Sequence, residues 1–151
     1  MGRVLGAVLS LVLAGCASSD ENIRPEELRF GAYEVDPDGS QPFEFFIHGT
    51  THAKAVEFEP KKGARLFTTT DIHVARLFSQ RTVGREGGRV GAAVIAIPRE
   101  IAVQLRERGV LKTQPVPDMP QMLETIFEPG AVEVLKDHAA IRPLPEGFFE
   151  P

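Results

Sequence analysis

The sequence predicts one mixed α+β domain carried behind an amino-terminal address segment. Three observations lead there. A length of 151 residues suits a single ordinary domain. Apolar runs of strand length stand at residues 43–47, 65–69, 90–97 and 123–127. The segments with helical spacing are few, so strands this short and helices this sparse do not fit a doubly wound sheet. Finally, 42% hydrophobic and 25% charged residues are ordinary for a globular chain. They exclude collagen-like, disordered and multi-span membrane classes. A net charge of −4 gives no general attraction for nucleic acid. With 1 cysteine the chain has no internal disulfide and no cysteine-built zinc site.

The first element is not part of the domain. Met1-Gly2-Arg3 is a minimal basic start, and residues 4–15 (VLGAVLSLVLAG) are uniformly apolar or small. As a helix this run would reach about 18 Å, short of a hydrocarbon core about 30 Å thick. It therefore reads as a signal segment, residues 1–15. Leu13-Ala14-Gly15-Cys16 resembles the lipobox of bacterial lipoproteins. That resemblance implies cleavage before Cys16, acylation of its sulfur and new amino group, and anchoring in a membrane of the bacterial envelope. Ala17 in place of aspartate favours the outer membrane. Residues 16–27 are small, polar and charged, and read as the acylated cysteine with a flexible tether. The folded domain is expected over residues 28–145.

Within it, residues 43–47 (FEFFI) predict a buried strand. Thr50-Thr51 suits the start of a short helix through Ala53, Val56 and Phe58, stopped by Pro60 and Gly63. Residues 65–69 (RLFTT) predict the second strand. Asp71 then caps a helix to Gln80, with Ile72, Ala75 and Phe78 on its inner face. Residues 81–89 (RTVGREGGR) read as a loop, and 90–97 (VGAAVIAI) as the central strand covered on both faces. Pro98 and Gly109 bracket the next helix. Three prolines keep 113–120 extended or looped, and 123–127 is a short strand. Pro129-Gly130 reads as a turn, 132–135 as a strand or short helix, and 146–151 as an irregular tail.

Three motifs carry chemistry. His48-Gly49-Thr50 leaves an aromatic strand and offers an imidazole, an unshielded backbone and a hydroxyl in what reads as one turn. Leu66-Phe67 leads through three threonines into the capped helix containing Ala75. Glu124 opens a short apolar run ending at Pro129-Gly130. Taken singly, each has a plainer reading: a packing histidine, a well-capped β-to-α turn, an edge glutamate facing water. His48 and His52 share helical spacing but lack a third ligand and a following glutamate, so no metal site is expected.

In this order the three motifs resemble the ADP-ribosyltransferase fold of diphtheria-type toxins, poly(ADP-ribose) polymerases and RNA 2′-phosphotransferases. The likeness spans roughly residues 43–135. It implies a mainly antiparallel split β-sheet with short flanking helices, and NAD as substrate without a metal. Glu124 would bond the ribose 2′-hydroxyl and stabilise the developing cation, and His48 would hold the adenosine ribose. Gly49 would orient the nicotinamide carboxamide and Phe67 would stack on the ring, while Thr50 and Arg65 would fix the cofactor, Arg65 at the diphosphate. Phe67 replaces the family's usual tyrosine. Met122 stands where arginine-modifying members have a second glutamate, with Gln121 beside it. The function implied is an NAD-dependent ADP-ribosyltransferase or NAD glycohydrolase on a lipoprotein, with a toxin role and a protein as one possible acceptor. The alternatives are a non-catalytic envelope lipoprotein with a degenerate transferase fold, or an unrelated binding or immunity-type module.

Overall fold

The computed structural model describes residues 43–150. The signal segment, Cys16, the tether and the expected domain start at residue 28 lie outside the described residues. In order, the elements are β1 (Phe43–Thr51), α1 (His52–Val56), β2 (Leu66–Thr68), α2 (Ile72–Glu86), β3 (Val90–Pro98), α3 (Arg99–Glu107), β4 (Leu111–Val116), β5 (Met119–Phe127), α4 (Pro129–His138) and β6 (Ala140–Pro143). The mixed α+β expectation holds.

The strands form two antiparallel sheets of three, ordered β1-β3-β6 and β2-β5-β4. The sheets meet at one bridge, where Ile47 and Thr69 exchange both backbone hydrogen bonds at 2.8 and 2.9 Å. β3 is central in its sheet, and its VGAAVIAIP sequence explains why: strand neighbours and packed faces leave no room for polar side chains. On one face Phe45, Ile47, Ala92 and Val94 pack with Ala75 of α2 and with Leu144 and Phe149. On the other, Phe46, Ile95 and Ile97 pack with Leu105 of α3, Leu135 of α4, and Phe127 of β5. Phe46 and Phe127 meet edge-to-face at 5.0 Å, so one aromatic pair ties the two sheets beneath the bridge.

Several expectations change. His48-Gly49-Thr50 is not a turn: it continues β1, paired with Ala93, Ala92 and Gly91. The segment expected to be a loop at residues 81–89 is helical as far as Glu86, with Gly84 inside α2 and only Gly87 (φ 81°) ending it. The buried face of α2 is Val74, Ala75 and Ser79, while Ile72 and Phe78 are half-buried. Pro129 is the first residue of α4 rather than part of a turn, as its missing N–H permits. Residues 113–120 build the β4–β5 hairpin, and Pro115 is tolerated because β4 is an edge strand. The carboxyl-terminal segment is irregular, yet Leu144 and Phe149 are only 1% and 8% exposed, so it completes the core.

Candidate functional site

The site residues gather where the two sheets part. Because Ile47 turns its N–H and C=O to Thr69, residues of its parity on β1 face β2 rather than β3. Gly49 therefore directs its N–H and C=O into the space between the sheets. By the same alternation Phe67 directs its own groups back toward β1. These two residues would be the next ladder pair, but the ladder stops. Instead the His48 ring reaches across, with Nδ1 2.8 Å from the Phe67 carbonyl oxygen. A carbonyl can only accept, so Nδ1 bears the proton and Nε2 is left as an acceptor in the neutral ring. Burial depresses the His48 pKa, the Phe67 carbonyl opposes it, and Lys54 adds to the lowering. The Phe58 ring flanks the imidazole at 4.9 Å.

α2 fixes the other side of this fork. A Cβ on Gly49 would fall 2.2 Å from the Ala75 carbonyl oxygen, so helix and strand approach to backbone contact there. Four residues on, the fully buried Ser79 hydroxyl donates to the Thr50 carbonyl (2.6 Å) and accepts from the Gly91 N–H (2.8 Å). A side chain thus stands between β1 and β3 beside the His48-Gly49 pair. Thr50 itself is 4% exposed and meets this relay through its carbonyl.

Glu124 lies one row beyond. Thr68 pairs with Thr125, which sets Thr69 against Glu124. The pleat places Glu124, Thr69 and Phe67 on one side of the sheet and His48 on the other, so the carboxylate and the imidazole approach the fork from opposite faces. Glu124 is 6% exposed, and its Oε2 accepts from Gln114 Nε2 at 3.0 Å. Phe67, by contrast, is 42% exposed. The threonines hold the strand ends: the Thr68 hydroxyl donates to the Thr125 carbonyl (2.7 Å) and that of Thr69 to the Leu123 carbonyl (3.1 Å).

Arg65 is not at the fork. It precedes the far end of β2, where its Nε bonds Glu128 Oε1 at 2.8 Å; Lys112 approaches the same carboxylate at 3.4 Å. In this structure the guanidinium expected at the diphosphate is engaged by Glu128, at a side chain that is more than half exposed. The structure brings together His48, Gly49 and Phe67, with Glu124 adjacent, while Thr50 takes part through its backbone.

An open groove of about 570 Å³ lies between Thr69, Thr70 and the start of α2 (Asp71, His73, Val74) on one side and Gln121, Met122 and Leu123 of β5 on the other, ending one residue before Glu124 in the chain. Asp71 caps α2, accepting from the His73 N–H at 2.8 Å. At the hairpin tip Arg81 binds Asp118 through both nitrogens, at 2.7 and 3.3 Å, and fastens the β4–β5 hairpin to α2. Gln114 and Ser79 escaped the sequence reading. Only the register of β4 on β5 and the packing of α2 on β1 give them partners.

Among the described residues no cluster of three His, Cys, Asp or Glu is arranged to hold a metal ion. No helix among them is long and apolar enough to cross a membrane. No protein-family model matches the chain, and no curated protein or solved structure shows significant similarity to it.

Proposed function

We propose that this chain is an NAD-dependent ADP-ribosyltransferase, with NAD glycohydrolysis as its reaction when water is the acceptor, presented on a bacterial lipoprotein. The observation that carries the reading is the fork itself. The His48 ring replaces the next rung between β1 and β2, and Gly49 turns a donor and an acceptor into the opening. A primary carboxamide needs that pair: its NH2 donates to the Gly49 carbonyl and its oxygen accepts from the Gly49 N–H. The partly exposed Phe67 ring offers a stacking face for a pyridinium. His48 Nε2, an acceptor in the neutral ring, suits a ribose hydroxyl.

The reaction breaks the bond between nicotinamide nitrogen and ribose C1′. Its electron pair passes to the ring, which leaves as neutral nicotinamide, and positive charge develops on the ribose as in glycoside cleavage. Glu124 would accept from the 2′-hydroxyl and stabilise that charge. An acceptor then bonds to C1′ and loses its proton; with water the product is ADP-ribose. The groove that ends at Leu123, one residue before Glu124, would be the acceptor's approach to C1′.

Lipid on Cys16 would place the domain at the envelope, in the outer membrane where there are two. NAD is a metabolite of the cell interior, so a toxin role, with delivery into a second cell, reconciles address and substrate. The test is nicotinamide release from NAD by the purified protein beside Glu124→Gln and His48→Ala. Release by the wild type that is lost in Glu124→Gln supports the enzyme. No release, with no effect of NAD on melting temperature, overturns it in favour of a non-catalytic module.

A further inference from the structure

We propose that Gln114 is a positioning residue for Glu124, and that it determines which carboxylate oxygen meets the substrate. The inference rests on the transferase reading of this site and extends it to an edge strand that no motif marked. Gln114 and Glu124 are direct register partners across β4 and β5. The amide Nε2 donates to Oε2 at 3.0 Å, although Gln114 is exposed and Glu124 is 6% exposed. A carboxylate held through Oε2 has its rotation restricted and keeps Oε1 for a second donor.

The partner's neutrality matters as much as its position. An arginine or lysine in place of Gln114 would hold the carboxylate and also cancel the charge that opposes the ribosyl cation. Lys112, two residues before Gln114 on the same face of β4, is drawn instead to Glu128 at 3.4 Å. Thr69, the residue after β2, stands opposite Glu124 in this row and directs its hydroxyl to the Leu123 carbonyl. From α2, Asp71 and His73 line the adjoining groove, and the Asp71 carboxylate is engaged as the helix cap. Gln114 is thus the side chain that orients Glu124 without neutralising it.

The experiment compares full-length wild type, Gln114→Leu and Gln114→Glu in two readouts. In NAD turnover, Gln114→Leu should lower kcat about tenfold, the rate equivalent of one hydrogen bond to a charged group, with KM for NAD little changed. Gln114→Glu, which sets a second carboxylate against the first, should lower kcat further. Both variants should also melt somewhat below the wild type, because Glu124 is 6% exposed and loses its donor in one and faces a like charge in the other. In the second readout, nitrogen-15 spectra of the wild type should show one Gln114 side-chain amide proton shifted downfield and protected, and Glu124→Ala should abolish this. Equal kcat in all three proteins, or an effect on KM alone, overturns the positioning role. A Gln114 amide indifferent to Glu124→Ala also overturns it. If the wild type releases no nicotinamide, the transferase reading fails, while the spectra still decide whether Gln114 holds Glu124.

Discussion

At His48 the chain settles a protonation state by packing. Burial favours the neutral ring, Lys54 disfavours a second positive charge, and the Phe67 carbonyl selects the Nδ1–H tautomer. The folded pKa thus lies below the ordinary 6.5, and between the two values the unfolded chain binds more protons. His48 therefore stabilises the fold fully above 6.5 and loses that contribution as the pH falls toward the folded pKa. Imidazole NMR should find Nδ1 protonated and titration below 6.5, and the denaturant midpoint should decline over that window less steeply in His48→Gln. Titration at or above 6.5 would contradict the geometry. Two glycines should respond in opposite directions. Gly49→Ala drives a methyl into the Ala75 carbonyl and should cost about 2–3 kcal/mol. Gly84→Ala meets nothing within 4 Å inside α2 and should gain about 0.5–1 kcal/mol. Urea titrations separate the two signs.

Elements were legible where a local signal fixed them. Asp71 announced the start of α2, and the uniform run at 90–97 announced a central strand, because capping chemistry and double-sided burial leave marks on composition. The end of α2 was not legible. Gly84, Gly87 and Gly88 look alike in a row of letters, yet only the last two take positive φ, while Gly84 stays in the helix beside half-buried Val83. His48-Gly49-Thr50 read as a turn for a related reason: its glycine serves the approach of α2, a contact made 26 residues away at Ala75. Ser79 had no signal at all, since a serine on a helix is ordinary until the helix lies against two strands. Ser79→Ala should orphan the Gly91 N–H and the Thr50 carbonyl in a buried place and cost about 1–3 kcal/mol. Calorimetric melting checks this, and an unchanged melting temperature would mean that the strands close directly.

Among the described residues the two small sheets are joined by one backbone bridge above a shared core that includes the Phe46–Phe127 pair, so their parting beyond the bridge is a consequence of topology. The fold class could be read from strand lengths, but the strand order could not, because Ile47 and Thr69 pair across an intervening helix. Glu124 and Gln114 were separated by the hairpin in the same way, and the Arg65–Glu128 pair was not legible because its partners lie 63 residues apart on different elements. Phe46→Ala, removing the contact that seats one sheet on the other, should cost about 3–5 kcal/mol in urea unfolding. The central claim is that the fork between β1 and β2 receives nicotinamide. Titrating the nitrogen-15-labelled protein with NAD tests it most directly. Saturable shifts should appear, largest at the Gly49 and Phe67 amides and at the Gln114 side chain. Shifts confined to other surfaces, or none at millimolar NAD, would contradict it.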